Sequence, residues 1–244
     1  MIPRILHQVW VGPNPMPQEH LDYRESWRRH HPGWELRLWT EENLPTDLVR
    51  KEAYERLRNP AERSDIIRLE VLLRFGGIYV DTDVECLRSI EPLLEGVEFC
   101  TTYVKRGMLS NAFIGAKPGH PILERAVREL RPRTEYGVDR EATGPVFLTK
   151  LIRQYPEVTI FPLGYFYASS PSQYERAYAI NHVARSWLEP EDWRAAALKT
   201  VRLLEKARRR IDELEPWRRR RKTLASLLTA PFRRLRGRSL DRFQ

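Results

Sequence analysis

Short apolar runs alternate with amphipathic segments between residues 4 and 162 of the chain. Apolar or side-alternating runs predict strands, whereas apolar residues three and four apart predict helices. The predicted strands are residues 4–11, 34–39, 78–84, 99–104, 112–116 and 158–162, and the predicted helices are residues 17–30, 60–75, 121–130 and 144–154. Strands that alternate with helices favour an α/β domain with a mostly parallel central sheet flanked by helices.

The clearest helix prediction covers residues 60–75. Pro60 suits the first turn of a helix, and the pair Gly76-Gly77 ends it. The strand predicted at residues 78–84 follows at once. Its side chains are expected to alternate between the two faces of the sheet, with the apolar ones turned into a core.

Two carboxylates, Asp81 and Asp83, stand in the last part of this predicted strand. Alternation along the strand directs both to the same side as Tyr79. Neighbouring carboxylates repel each other unless a cation lies between them, and their hard oxygen atoms suit Mg²⁺ or Mn²⁺. Such a metal would neutralise a diphosphate bound beside it. A lone Asp-x-Asp is also common in polar turns, so the prediction depends on its surroundings.

A second polar pair, Asp65 and Arg68, lies in the preceding helix. Residues three apart share a helical face, so both side chains are able to reach the cleft at the strand end. A carboxylate suits ribose hydroxyls, and a guanidinium suits phosphate or sugar oxygens. The other interpretation is a surface ion pair worth less than about 1 kcal/mol. Spacing alone leaves both interpretations open.

The residues from 61 to 84, AERSDIIRLEVLLRFGGIYVDTDV, and the opening IPRILHQVW resemble the DXD sugar-transferase family, glycosyltransferase family 32. That family includes fungal outer-chain mannosyltransferases and bacterial capsule and lipopolysaccharide transferases, and the catalytic domains of large clostridial glucosylating toxins are related to it. The resemblance covers about residues 1–190. It implies the GT-A fold of nucleotide-diphospho-sugar transferases at residues 1–194. The tail is not covered by the resemblance, and its change to charged, helix-compatible and cationic sequence predicts a basic, partly helical appendage at residues 195–244.

The resemblance also implies where the parts of a nucleotide-sugar would bind. The base is expected beside Val9 and Trp10, the ribose beside Asp65, and the sugar or diphosphate beside Arg68. Asn111 matches a sugar-contacting asparagine of similar enzymes. Two of these positions have equally ordinary structural interpretations, since Trp10 also suits a core and Asn111 also suits a loop cap before a strand.

The remaining implied roles concern the donor's diphosphate and the metal. Tyr79 is expected to pack against the donor and Asp81 to contact its ribose or sugar, while Asp83 and His182 are expected to ligate the metal and Trp187 to cover the leaving group. The toxin relatives carry a carboxylate where this chain has His182. Arg68, Asp81 and Asp83 are the expected catalytic residues.

The implied activity is that of a metal-dependent retaining glycosyltransferase. It would move a hexose from a UDP- or GDP-sugar to a hydroxyl of a saccharide or lipid-linked acceptor, in polysaccharide or glycolipid synthesis. An aspartate-nucleophile phosphatase is the alternative enzyme, because it also uses Asp-x-Asp after an apolar strand. Those phosphatases usually carry Thr or Val two positions after the second aspartate, where this chain has Glu85.

The net charge of +9 is concentrated at the carboxyl end of the chain. Residues 199–244 hold 16 Lys or Arg and 5 Asp or Glu, a net +11, which leaves −2 for residues 1–198. The nearly neutral body argues against specific nucleic-acid binding there. The basic tail suits an anionic membrane surface, so a non-enzymatic protein that binds anionic surfaces through this tail is a further alternative function. The structural interpretation is a solvated segment.

Two further features of the sequence concern the compartment. The chain has two cysteines, without metal-site spacing, which favours free thiols in a reducing compartment. No signal peptide and no membrane-spanning run is visible in the sequence. The expected location is therefore cytoplasmic, with peripheral attachment to the inner face of the membrane.

Overall fold

The structure is a computed structural model that describes residues 1–130, 143–168 and 171–184, together with the single residues 205 and 208. The strands are β1 (Ile5–Val9), β2 (Glu35–Trp39), β3 (Gly77–Val80), β4 (Val84–Cys86), β5 (Phe99–Lys105), β6 (Met108–Ala116), β7 (Thr159–Phe161) and β8 (Ala179–Asn181). The helices are α1 (Gln18–His30), α2 (Lys51–Arg56), α3 (Pro60–Phe75), α4 (Pro121–Glu129), α5 (Gly144–Ile152) and α6 (Pro171–Tyr174), and short 3₁₀ turns lie at Glu91–Leu93 and Leu163–Tyr165.

Six strands form the central sheet in the order β2-β1-β3-β6-β5-β7. β1 runs parallel to β2 and β3, and β5 runs parallel to β7. β6 is antiparallel to both of its neighbours, β3 and β5. Three of the five pairs are therefore parallel, which confirms the predicted α/β domain with a mostly parallel sheet. β4 and β8 form a separate antiparallel ribbon.

The central sheet has a hydrophobic core on each side, as β3 shows. Ile78 and Val80 belong to a cluster that also contains Trp27. Tyr79, between them, belongs to a second cluster with Leu72 of α3. All four residues of β3 are buried, as expected for a strand covered by other elements on both faces.

Helix α3 has the bounds that the sequence predicts, and its first residues show why. The side chain of Asn59 accepts a hydrogen bond from the backbone amide of Ala61 at 2.8 Å, which satisfies one of the free amides of the first turn. Pro60 occupies the first helical position, where no amide hydrogen is required. The helix ends at Gly76, whose φ of 62° is unfavourable for other residues.

Gly76 and Gly77 bring the end of α3 against β1. A Cβ atom on Gly77 would overlap the carbonyl oxygen of Ile5, and the φ of Gly77 is 96°. The imidazole of His7 lies beside this crossing, where its Nε2–H donates to the carbonyl of Gly76 at 2.8 Å. Trp39 donates its indole N–H to His7 Nδ1 at 3.0 Å, which fixes the neutral tautomer. The close approach of Gly77 to Ile5 and the hydrogen bonds of His7 therefore fix the start of β3 against β1.

We expect Gly77→Ala to be strongly destabilising, because it combines a positive φ with a clash against backbone. The expected loss is about 3 kcal/mol or more, or roughly 10 °C in the melting temperature. Gly33→Ala is the matched control, since Gly33 has a φ of 86° but no heavy atom within 4 Å of its added Cβ. Both variants place alanine at a positive φ, so the difference between their melting temperatures measures the clash alone. Equal losses of stability in the two variants would contradict the predicted clash.

His7 is expected to make stability fall as the pH falls. Burial lowers the pKa of His7 from 6.5 to about 4. The unfolded chain therefore takes up the proton first, so the contribution of His7 is complete above about pH 6.5 and declines as the pH falls towards 4. In denaturant unfolding, the advantage of the wild type over His7→Gln should shrink by about 2 kcal/mol between about pH 7 and pH 5. A constant difference would contradict this prediction.

The strand predicted at residues 78–84 is partly wrong. β3 ends at Val80, and a turn follows, in which the amide of Val84 donates to the carbonyl of Asp81 at 3.2 Å. The chain then enters β4, which pairs with β8 rather than with the central sheet. The expected alternation therefore stops at Val80, and the two aspartates belong to a turn.

The structure divides the chain into one unit at residues 1–187 and another at residues 188–244. Apart from residues 205 and 208, the second unit lies outside the described residues, so the appendage at residues 195–244 stays a prediction. Within the described residues, no helix is long and apolar enough to cross a bilayer.

Candidate active site

The acidic turn Asp81-Thr82-Asp83 follows β3 at its carboxyl end, where the sheet meets α1 and the β4–β8 ribbon. The amide of Asp81 donates to the carbonyl of Ala112 in β6 at 3.0 Å. Thr82 is buried, whereas both aspartates are partly exposed. In an α/β sheet, the carboxyl ends of strands are the usual position of a ligand site. The turn therefore presents two carboxylates at this edge of the sheet.

Asp83 has one oxygen satisfied and one left without a partner. Its Oδ2 accepts a hydrogen bond from the amide of Ala184 at 2.8 Å. Oδ1 is buried, and no described residue donates a hydrogen bond to it. Burial, and secondly the charge of Asp81, raise the pKa of Asp83 to about 6. An anionic oxygen that is buried without a donor fits a cation, which is the partner that the sequence predicts for this residue.

Asp81 is held by two side chains from the elements next to it. The hydroxyl of Tyr79 donates to Asp81 Oδ1 at 2.7 Å. Arg68 Nη1 lies 3.1 Å from the same oxygen, and the Arg68 guanidinium lies 4.6 Å from the centre of the Tyr79 ring. Asp81 is therefore anchored through Oδ1 by two side chains, whereas Asp83 is held by a backbone amide through Oδ2.

Arg68 also connects Asp81 to Asp65, so the polar pair predicted on α3 does meet the acidic turn. Arg68 Nη2 lies 3.3 Å from Asp65 Oδ1, and Nη1 donates to the carbonyl of Asn111 at 2.6 Å. The side-chain amide of Asn111 donates to Asp65 Oδ1 at 2.7 Å. Burial alone would lower the pKa of Arg68. Asp81, Tyr79 and Asp65 outweigh burial and raise this pKa above its usual value, so the guanidinium stays charged.

The side chains of Asp65 and Arg68 are too enclosed in this structure to contact a nucleotide-sugar directly. The two side chains are only 12% and 6% exposed, respectively. With Asn111 and Gly144 they line a cavity of about 10 Å³, which has room for about one water molecule and not for a hexose. In this structure they support Asp81, and the predicted contacts with ribose, sugar or diphosphate stay predictions.

The two residues predicted to contact the base lie at the end of β1 and differ in their surroundings. The side chain of Val9 is 5% exposed and belongs to the hydrophobic core. The ring of Trp10 is half-buried, donates its N–H to the carbonyl of Asn14 at 2.9 Å, and meets the ring of His20 edge to face. Trp10 therefore keeps a partly exposed aromatic surface, whereas Val9 is enclosed in the core, and its predicted contact with the base stays a prediction.

His182 lies close to the turn but its imidazole is engaged elsewhere. Its backbone amide donates to the carbonyl of Asp83 at 3.0 Å. The ring Nε2 lies 3.1 Å from Oε2 of Glu85, and the ring stacks on Tyr23 with centroids 4.4 Å apart. Within the described ranges, no three His, Cys, Asp or Glu side chains are placed to hold one metal ion. Metal ligation by His182 would have to use the other ring nitrogen, Nδ1, or break this pair, and it stays a prediction.

A metal held by few protein ligands is compatible with this arrangement. Mg²⁺ and similar ions in phosphate-binding sites are commonly held by one or two carboxylates, with substrate phosphates and water completing the shell. Asp83 Oδ1 and the neighbouring Asp81 supply such a set.

Trp187, predicted to cover the leaving group, lies outside the described residues.

The structure adds Tyr167 to the site, a residue that the sequence did not single out. Its hydroxyl lies 2.7 Å from Oγ of Ser110 and 3.4 Å from the side-chain Nδ2 of Asn181. Burial is the first cause of its raised pKa, and the charges of Asp81 and Asp83 act in the same direction. Tyr167 therefore links β6 and β8 beside the acidic turn. No local pattern in the sequence distinguishes this tyrosine from the nine others.

Comparison with known proteins identifies the region that contains this turn. Residues 17–100 match the family model described as "Glycosyltransferase sugar-binding region containing DXD motif". These residues include Asp65, Arg68 and the whole acidic turn. The resemblance to the DXD glycosyltransferases is therefore confirmed.

Curated relatives and a solved structure agree with that match. Mannosyl phosphorylinositol ceramide synthase SUR1 of Saccharomyces cerevisiae is 27% identical over 217 residues, 84% of this chain and 55% of the relative. Inositol phosphoceramide mannosyltransferase 3 of Schizosaccharomyces pombe is 33% identical over 162 residues, 61% of this chain and 44% of the relative. The chain thus spans about half the length of these relatives. The PaToxG glycosyltransferase structure superposes with a TM-score of 0.52 at 17% identity, covering 63% of this chain and 68% of that one. The predicted GT-A fold is confirmed.

Proposed function

We propose that this protein is a metal-dependent glycosyltransferase that uses a nucleoside diphosphate sugar. The observation that carries the proposal is the buried Oδ1 of Asp83, in an acidic turn at the carboxyl end of β3, which has no hydrogen-bond donor among the described residues. This turn lies in the sugar-binding region that the family model matches. A buried carboxylate oxygen with no donor is costly unless a cation binds it when the enzyme works.

The charges around the turn support a divalent cation. Asp65, Asp81 and Asp83 supply three carboxylates, and Arg68 supplies one guanidinium in contact with two of them. The ionised set carries a net charge of −2, which a divalent ion balances. Mg²⁺ or Mn²⁺, when bound, would neutralise the charge that develops on the leaving diphosphate.

The protein's own residues then act through positioning. Arg68 and Tyr79 hold Asp81 in one orientation. In this orientation Asp81 accepts hydrogen bonds from hydroxyl groups of the bound nucleotide-sugar. Trp10 supplies an aromatic surface for the base. In the proposed reaction the bond between the anomeric carbon and the diphosphate oxygen breaks, and the acceptor oxygen bonds to the same face. The acceptor proton passes to the departing diphosphate. Because the new bond forms on the face that the diphosphate leaves, the anomeric configuration is retained without a carboxylate nucleophile.

The relatives support a narrower proposal about the substrates. SUR1 and the inositol phosphoceramide mannosyltransferases are, by their names, enzymes that place mannose on an inositol-containing ceramide lipid. We therefore infer a GDP- or UDP-hexose donor, with mannose as the first sugar to test. A lipid-linked or saccharide hydroxyl is the inferred acceptor.

The proposal is tested by screening UDP- and GDP-sugars for Mn²⁺-dependent hydrolysis and for thermal stabilisation of the protein. One donor is expected to be cleaved and to raise the melting temperature, and both effects should disappear when EDTA removes the metal. A phosphatase substrate such as p-nitrophenyl phosphate serves as the control for the alternative enzyme class. Cleavage of that substrate without cleavage of any nucleotide-sugar would contradict the proposal.

The basic tail supports a further part of the proposal, namely attachment to the inner face of a membrane near lipid-linked acceptors. Residues 199–244 carry a net +11, and each Lys or Arg near an anionic surface contributes about 1 kcal/mol. The full chain is expected to co-sediment with vesicles that contain phosphatidylserine, and a truncation at residue 195 is expected to remain in solution. Equal binding of the two proteins would contradict this role of the tail.

A further inference from the structure

His20 of α1 contacts the acidic turn from inside the protein. Its ring is almost fully buried, and Nδ1 lies 2.9 Å from the hydroxyl of Thr82. Thr82 is the middle residue of the turn and is itself only 7% exposed. A buried side-chain hydrogen bond therefore joins α1 to the residue between the two aspartates, across 62 positions of sequence.

The same ring contacts the aromatic residue at the end of β1. The centroids of His20 and Trp10 are 5.4 Å apart, with the ring planes at 79°. Such an edge-to-face pair favours one relative orientation of the two rings. His20 thus contacts the acidic turn on one side and the proposed base-binding surface on the other.

We propose that His20 is a positioning residue that holds the metal-binding turn and the base-binding surface in one relative arrangement. The inference rests on the proposed function. Backbone hydrogen bonds hold the turn at Asp81 and Asp83. The hydrogen bond from His20 acts on the residue between them, where it fixes Thr82 inward, while the two flanking aspartates stay partly exposed. Removing the hydrogen-bond partner of a metal ligand commonly changes metal affinity by about 10- to 100-fold, and a partner of the residue between two ligands is expected to act at the lower end of that range. Trp10, in turn, needs a fixed ring to stack on a base.

The test compares variants that remove or keep this hydrogen bond. His20→Leu and Thr82→Val each remove one partner, and the double variant removes both. His20→Asn keeps a polar atom close to the position of Nδ1. His31→Leu is the matched control, since His31 is also buried, lies just after the same helix, and accepts a hydrogen bond from the amide of Ile90 at 3.0 Å.

Two measurements separate positioning from a general loss of stability. Direct Mn²⁺ binding, followed by electron paramagnetic resonance, should show the dissociation constant of His20→Leu and Thr82→Val raised about tenfold. The double variant should be no weaker than either single variant, because both remove the same interaction. His20→Asn should bind Mn²⁺ nearly as the wild type does. His31→Leu should melt at a lower temperature with the dissociation constant unchanged.

Kinetics give the second readout. The KM for the donor should rise in His20→Leu while kcat at saturating Mn²⁺ and donor stays near the wild-type value. An unchanged Mn²⁺ dissociation constant in folded His20→Leu, or additive losses in the double variant, would overturn the inference, as would a wild type that binds no Mn²⁺. Mn²⁺ binding by the wild type without turnover of any nucleotide-sugar would contradict only the proposed function.

Discussion

Replacing Asp83 by asparagine is expected to lower metal-dependent turnover by about 1000-fold or more while making the metal-free protein more stable. Turnover falls because the neutral amide cannot replace the anionic Oδ1 as a metal ligand. Stability rises because this oxygen is buried next to the charge of Asp81, and no residue in the described part of the chain donates a hydrogen bond to it. Relief of that unpaired charge is worth roughly 1–2 kcal/mol, or a few degrees in melting temperature.

Opposite changes in activity and stability distinguish a functional residue from a structural one. Melting curves with and without Mn²⁺ complete the measurement, because the wild type should gain stability from the metal and Asp83→Asn should not. Asp47→Asn is the control, since Asp47 is exposed and pairs with Arg74 at the surface. Its turnover should not change. Wild-type activity of Asp83→Asn, or a lower melting temperature of its metal-free form, would contradict the assigned role.

The long elements of the fold follow from local sequence signals. Helix α3 begins where Asn59 and Pro60 predict it and ends at Gly76, because the cap, the fixed φ of proline and the positive φ of glycine are all local properties. Strands β1 and β2 likewise lie within their predicted segments. In these places a single stretch of chain contains the physical cause of the structure.

Elements that depend on distant partners were not predictable in this way. β4 and β8 have three residues each and form only because they pair with one another across almost a hundred residues. The turn at Asp81 interrupts an apolar pattern that continues to Val84, so periodicity alone predicts one longer strand. β6 begins at Met108, four residues before the predicted strand, because the hairpin with β5 extends it.

In the candidate site, too, the contacts within one helix were predictable from the sequence, whereas the contacts between distant segments were not. Asp65 and Arg68 could be placed together because a spacing of three puts them on one helical face. The contacts of Tyr167, His20 and Glu85 join segments that are far apart in sequence, and each involves a residue type that occurs elsewhere in ordinary structural positions. Only the folded chain shows that His182 pairs with Glu85.

Arg68→Met is expected to cause the largest loss of stability among substitutions in this site. The variant leaves two carboxylates, Asp65 and Asp81, near each other without the cation that lies within 3.3 Å and 3.1 Å of them. Removing one member of a buried charged network costs about 3–5 kcal/mol, so the melting temperature should fall by about 10 °C. Turnover should fall as well, because Asp81 loses one of its two anchors. Arg74→Met, on the same helix but at the surface, should change the stability by less than about 1 kcal/mol.

A second substitution separates electrostatics from packing as the cause of this loss. If the uncompensated charge of Asp65 dominates, Asp65→Asn in the Arg68→Met background should recover part of the lost stability, although Asp65→Asn alone should not stabilise the protein. Such recovery is the coupling expected of residues in one charged network. Denaturant unfolding of the four proteins gives the coupling free energy directly. Additive losses would show that Arg68 acts through its packed side chain and not through its charge, which would contradict its assigned role between the two aspartates.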